Sequence, residues 1–277
     1  MNSPFKVACI QPNCGADIDA NLAQTSGFIR QARDAGAELI TLPETVNIMA
    51  PDRATLRANS EPEEGNRVLA AYQDLAKEAG AWILIGSLMV EVPGSEKLAN
   101  RSYLLDSDGT VRARYDKIHM FDVNLGGAEN HRESDHYDAG NKAVLAETPW
   151  CQLGMTICYD LRFPYLYRTL AHAGAHMLST PAAFTKVSGQ AHWHILQRAR
   201  AIETGCFVIA PCQTGDHPGN RQTFGHSLIV DPGGVVLADG GEDTGFIVAD
   251  IDLSKVDEAR HKIPALTHDR DIELVKF

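Results

Sequence analysis

An apolar run, Leu153-Gly154-Met155-Thr156-Ile157, ends at Cys158, and Tyr159-Asp160-Leu161-Arg162-Phe163-Pro164 follows before the next helical pattern. The run has the character of a buried strand, and the charged, aromatic and proline residues after it mark a connection into a helix. Residues at the C-terminal ends of strands sit where open α/β sheets place their ligands. A thiol there can meet a substrate while its neighbours stay packed, and near neutral pH no side chain is intrinsically more nucleophilic. The plainer reading, one more core cysteine, fits how most free thiols behave. The rest of the chain weighs between the two.

Strand and helix patterns alternate along the chain. Phe5 to Gln11 reads as a strand, and Ile18, Leu22, Thr25, Ile29 and Ala32 form a helical stripe capped by Asp17 or Asp19 and stopped at Gly36. Glu38 to Leu42 is a short buried strand broken at Pro43, with Glu44 just beyond it. A helix over 66–79 buries Val68, Leu69, Tyr72, Leu75 and Ala76 and ends at Gly80, and 81–92 is strand-like. Strands at 102–106 and 110–115 flank the hairpin signal Ser107-Asp108-Gly109 and run into Asp116-Lys117-Ile118-His119. The polar stretch 124–140 shows little periodicity, and irregular segments of that length are often functional. Further strands fall at 143–146, 177–180, 206–210, 227–230, 235–238 and 246–251, with helices over 165–173, 190–203 and 254–260. Two mixed sheets with helices on their outer faces accommodate this order, in a single domain spanning 1–277.

Composition narrows the class. A chain of 277 residues, 44% hydrophobic, can bury a sizeable core. Its formal charge of −11, from 25 basic and 36 acidic residues, argues against a nucleic-acid or anionic-membrane surface. No apolar run reaches bilayer length, and the strand pattern at Phe5 is not a signal peptide, which points to the cytoplasm. Six cysteines without CxxC or zinc spacing read as reduced thiols. His192 and His194 would face different sides of a helix, and Gly174 interrupts His172 and His176, so both are poor metal pairs. GxSxG, Walker and GxGxxG patterns are missing, and Gly126-Gly127 and Gly233-Gly234 read as turns.

Glu44, Lys117 and Cys158 each stand at the end of an expected strand, although any one alone could be an ordinary loop charge or core thiol. Around them lie Leu42-Pro43-Glu44, Tyr115-Asp116-Lys117-Ile118-His119-Met120-Phe121-Asp122 and Ile157-Cys158-Tyr159-Asp160-Leu161-Arg162-Phe163-Pro164. These three blocks resemble, in order and spacing, those of the carbon–nitrogen hydrolase (nitrilase) superfamily. The resemblance continues through Pro181-Ala182-Ala183-Phe184, Arg198-Ala199-Arg200-Ala201-Ile202-Glu203 and Gly225-His226-Ser227, so it spans essentially the whole chain. It implies an α/β fold, a four-layer α-β-β-α sandwich, paired into a homodimer. It further implies Glu44 as general base, Lys117 as cationic stabiliser, Cys158 as nucleophile, and Glu133, opening Glu133-Ser134-Asp135-His136-Tyr137-Asp138-Ala139-Gly140, as a second glutamate, with Glu129 the weaker candidate. Such chemistry needs neither metal nor organic cofactor.

The Cys158-Tyr159-Asp160-x-Arg162-Phe163-Pro164 block is similar to the Nit-type amidases, and the later blocks look closer to those acting on deaminated glutathione than to ω-amidases. The implied reaction is amide hydrolysis through a thioester, on a small carboxylate-bearing amide. Lys117 would favour the thiolate and, with the Tyr159 N–H, stabilise the oxyanion. Tyr159, Arg162 and Phe184 are the expected substrate contacts, with Arg162 suited to a carboxylate. The polar, loop-like segment 216–221 would line the entrance. His194 replaces the glutamate usual after His-Trp, which would matter if that position touched substrate. ω-Amide hydrolysis, N-carbamoyl amino acid hydrolysis and a non-catalytic binding role on the same fold are the alternatives.

Overall fold

Both faces of the strand Phe5–Gln11 are buried: Val7 and Cys9 join one apolar cluster while Ala8 and Ile10 join another. A strand with two apolar faces belongs in the middle of a layered structure. The computed structural model describes residues 4–124 and 130–277. Its elements run β1 (Phe5–Gln11), α1 (Ile18–Asp34), β2 (Leu39–Thr41), α2 (Arg53–Ala58), β3 (Glu61–Pro62), α3 (Arg67–Ala79), β4 (Trp82–Glu91), β5 (Leu98–Leu105) and β6 (Val111–Asp116). Then come β7 (Asp122–Asn124), β8 (Asn130–Arg132), β9 (Val144–Glu147), β10 (Gln152–Met155), α4 (Pro164–His172), β11 (Met177–Ser179) and α5 (Lys186–Thr204). The chain closes with β12 (Phe207–Ala210), β13 (Thr214–His217), β14 (Arg221–Phe224), β15 (Leu228–Val230), β16 (Val236–Asp239), β17 (Gly245–Ile251) and α6 (Ser254–Lys262).

Two large mixed sheets result. One is ordered β17-β1-β2-β4-β5-β6, the other β16-β15-β12-β11-β10-β9. Within them β1, β2 and β4 run parallel, as do β10, β11 and β12. Helices α1 and α3 lie on the first sheet, and α4 and α5 on the second. The sheets face each other through Val7, Cys9, Leu39 and Leu84 on one side and Leu153, Met155 and Ile209 on the other. The fold is the four-layer α-β-β-α sandwich.

Local chemistry explains the helices. Asp17 caps α1, its side chain accepting from the N–H groups of Asp19 and Ala20. Asn66 does the same for α3, which ends at Gly80 in the left-handed region, φ +56°. Helix α5 begins before the expected position because Gly189 lies inside it. A Cβ there would sit 2.4 Å from the Phe224 side chain, so the glycine serves close packing against β14 rather than ending the helix. The segment 216–221 is not a loop but a hairpin of β13 and β14, turned at Gly219 and Asn220, both of positive φ. Helix α2 and the small ladder of β7 with β8 were not legible as periodic patterns. Glu129 and Gly126-Gly127 lie outside the described residues.

Candidate active site

The expected site residues follow strand ends on both sheets. Glu44 comes three residues after β2, Lys117 directly after β6 and Cys158 three residues after β10. A bulge in β4 cradles Glu44: the Ser87 hydroxyl accepts the Thr45 N–H at 2.9 Å, and the Ser87 carbonyl accepts the Val46 N–H. Gly86 makes room for it, since a Cβ there would lie 2.0 Å from the Leu42 carbonyl oxygen. Cys158 is held at φ +48°, a left-handed conformation that is strained for a residue with a side chain, and its N–H donates to Pro181 at 2.9 Å.

Lys117 is the centre of the charge cluster. Its ammonium, 2% exposed, donates to Glu44 Oε1 at 2.8 Å and to Glu133 Oε1 and Oε2 at 2.9 and 2.8 Å. Asn100, within β5, joins the two carboxylates by donating to Glu44 Oε1 and Glu133 Oε1. The remaining Glu44 oxygen accepts the Ala183 N–H at 3.0 Å, and Glu133 accepts the Phe121 N–H at 2.6 Å. Buried charges are tolerated when paired and hydrogen-bonded in this way.

The titration behaviour follows from these contacts. Burial opposes the Glu44 charge, but Lys117, the Ala183 N–H and Arg221 outweigh it and hold the carboxyl below its ordinary value. Burial likewise opposes the Lys117 charge, and Glu133 and Glu44 overcome it, so the ammonium persists well above its usual range. For Cys158, burial and then the neighbouring Glu44 carboxylate push the thiol up, against the opposing pull of Lys117. The resting set is therefore a neutral thiol beside a carboxylate and an ammonium. Lys117 alone does not produce the standing thiolate that its charge would suggest.

One cavity of about 420 Å³ brings together Glu44, Lys117, Glu133 and Cys158, with Tyr159 and Phe184 in its wall. Arg162 is not part of that wall. Its guanidinium lies over the Phe184 and Tyr159 rings and donates to His192, so it backs the two aromatic residues. Arg221, at the start of β14, lines the cavity instead, and it forms no ion pair among the described residues. Of the segment 216–221, Arg221 alone is in the lining. His194 is also away from the cavity: its ring bonds Asp239, which His226 also engages, so both carboxylate oxygens are occupied. Asn100 went unrecognised in the sequence, although a polar residue inside an otherwise apolar strand is itself a signal of a buried network.

Residues 6–261 match the carbon–nitrogen hydrolase family, and the chain belongs to it. It is accordingly a hydrolase acting on carbon–nitrogen bonds other than peptide bonds, an amidase of the nitrilase superfamily. Across 266 residues the chain is 39% identical to the deaminated glutathione amidase of Yersinia enterocolitica, covering 95% of this chain and 92% of that one. The human deaminated glutathione amidase is 38% identical over 268 residues, 95% of this chain and 82% of its own. Among solved structures, the NitFhit protein of Caenorhabditis elegans superposes with a TM-score of 0.90 at 35% identity, covering 97% of this chain and 66% of NitFhit. Nit3 of Saccharomyces cerevisiae gives 0.86 at 28% identity, covering 95% and 96% of the two chains.

Proposed function

We propose that this amidase acts on deaminated glutathione, cleaving the amide between its ketoacyl half and its peptide amine through a thioester on Cys158. The observation that carries the mechanism is the ammonium of Lys117 bound to Glu44 and Glu133 in the cavity of Cys158. Glu44 accepts the thiol proton as sulfur attacks the amide carbon, because at rest the carboxyl is ionised and the thiol is not. Lys117 and the Tyr159 N–H, in the first turn of the short helix beginning at Cys158, stabilise the oxyanion. Protonated Glu44 then delivers its proton to the leaving nitrogen, and the amine departs. The same carboxylate takes a proton from water attacking the thioester and returns it to the sulfur as the acid leaves. Glu133 orients Lys117.

The substrate reading is supported by the near full-length similarity to amidases of that name. It is supported also by Arg221, a cavity guanidinium that forms no ion pair among the described residues and suits a substrate carboxylate. Two further readings accompany it. Ile195 and Ile202, seven residues apart on α5, and Tyr165 on α4 expose apolar surface that suits pairing of two copies through this helical layer. Six unpaired cysteines suit a reducing cytoplasm, and among the described residues no helix is long and apolar enough to cross a membrane.

The test is amine release from deaminated glutathione, α-ketoglutaramate and an N-carbamoyl amino acid, with Cys158→Ala alongside. The expected result is highest kcat/KM on deaminated glutathione and no turnover in the variant. Turnover surviving in Cys158→Ala would remove the nucleophile assignment. Preference for α-ketoglutaramate would make the protein an ω-amidase, and silence of folded protein on all three would favour a binding role.

A further inference from the structure

The groups that meet in the cavity come from different sheets. Glu44, Asn100 and Lys117 belong to the first, Cys158 and Ala183 to the second. Useful chemistry requires Lys117 and Cys158 to keep one separation, and something must fix the two sheets there. We infer that Asp160 is the positioning residue that does so, tying the Lys117 segment and the Cys158 segment to one carboxylate.

Asp160 is fully buried, and its carboxylate accepts four hydrogen bonds. Oδ2 accepts from the Tyr115 hydroxyl at 2.6 Å and from the Ile157 N–H at 2.8 Å. Oδ1 accepts from the His119 N–H at 3.1 Å and from the His119 Nδ1 at 2.6 Å. Four donors match the acceptor capacity of an ionised carboxylate, so no site on it is idle. Tyr115 and His119 stand two residues before and two residues after Lys117, so the chain is gripped on both sides of the ammonium. Ile157 directly precedes Cys158, and the Asp160 N–H returns a bond to the Ile157 carbonyl at 3.0 Å. That reciprocal pair closes the turn that holds Cys158 at φ +48°.

This arrangement also gives a physical account of why the Tyr115-x-Lys117-x-His119 and Cys158-x-Asp160 spacings occur together in this chain. Each motif is half of one joint. The ring of His119 is further fixed by stacking on Phe163, with centroids 3.5 Å apart, so the joint continues into the start of α4. Asp160 itself is not in the cavity lining, and its influence passes through the backbones it holds.

The inference rests on the roles proposed for Lys117 and Cys158, and the experiment separates the two. Loss of turnover in Cys158→Ala tests those roles. Asp160→Asn, in an enzyme that passes that test, tests the joint, because the amide keeps the shape but turns a donor toward donors. A misplacement of reacting groups lowers kcat about 100-fold, and KM should stay within about threefold because the cavity wall is untouched. The distinguishing readout is alkylation of Cys158 by iodoacetamide as a function of pH, followed on the Cys158 peptide. With Lys117 drawn away, the reaction should need a higher pH than in the wild type. Tyr115→Phe removes one of the four bonds while keeping the ring, and should lower kcat about tenfold at unchanged KM. Wild-type kcat in either folded variant overturns the inference. An alkylation profile coincident with the wild type, whatever the thermal stability, reduces Asp160 to a structural residue and overturns it as well. If Asp160→Asn does not fold, Tyr115→Phe decides by the same two criteria.

Discussion

Replacing Lys117 by Met separates the electrostatic reading from any other. The side chain keeps a similar length and loses only its charge and donors. Nζ holds Glu44 Oε1 at 2.8 Å and both Glu133 oxygens at 2.8–2.9 Å, all inside the protein. Its loss leaves two carboxylates that meet at the Asn100 amide, and two like charges in one buried site cannot both persist. Glu44 is the more enclosed, its side chain 4% exposed against 12% for Glu133, and burial is the strongest influence on its carboxyl. Glu44 therefore takes up a proton more readily, its pKa moves upward once Lys117 no longer offsets its burial, and the base is weakened. Removing the cation from the oxyanion costs a further 3–4 kcal/mol or so, about 10²–10³ in kcat. Breaking the buried pair destabilises by about 3–5 kcal/mol, part of which protonation recovers. The assay is kcat and kcat/KM against pH for wild type and Lys117→Met, with thermal melting alongside. The expected picture is a kcat at least 10²-fold lower, roughly as above, and an acid limb displaced to higher pH than in the wild type. A kcat within about tenfold of wild type, with the limb where it was, would refute the reasoning.

Other consequences are simpler to state. In the wild type, Glu44 is held ionised below the ordinary glutamate value, so kcat/KM should stay on its plateau as pH falls through that value and decline only beneath it. The stability contributed by the same carboxylate follows the same sign, present at neutral pH and lost as pH falls through its folded value; a limb near neutrality would contradict both. Asn100→Leu removes two bonds to charged oxygens, each worth about 1.5–3 kcal/mol, and should lower both kcat and melting temperature; an unchanged kcat would show the amide to be dispensable. Gly86→Ala drives a methyl into the backbone that carries Glu44, so activity should fall more than stability, measured as residual kcat in the folded fraction. Arg221→Gln should reduce kcat/KM on carboxylate-bearing amides while sparing a neutral amide, and equal loss on both would assign it a structural role.

Strand ends were readable because apolar runs stop at recognisable breakers, Pro43 after Leu42 and the polar turn after Ile157. That Glu44, Lys117 and Cys158 occupy such ends was visible, and their blocks carried a family resemblance. Their convergence was not visible from spacing, since contacts such as Lys117 with Glu44 join residues 73 apart. Asn100 hid inside a strand, and Arg221 hid behind a turn of Gly219 and Asn220 that reads as loop. Arg162 illustrates a different limit: its chemistry suits a carboxylate, but two aromatic rings lie beneath its guanidinium, and a sequence does not reveal which side of a ring an arginine occupies. The thiol of Cys158 illustrates a third, because burial, which only the fold determines, outweighs the nearby ammonium.

The order of the first sheet has a consequence for how the protein comes into being. β1 is made before the rest of its sheet, yet one of its two neighbours is β17, and all seven of its residues pair there. Until residues 245–251 are made, one edge of an apolar strand is open, and open edges invite pairing with other chains. The seam at that edge of the sheet is thus closed by a stretch synthesised after every residue of the cavity already exists. The first sheet should consequently close only once β17 is available, rather than strand by strand as the chain lengthens. A nascent chain halted before β17 should be the species most dependent on chaperones.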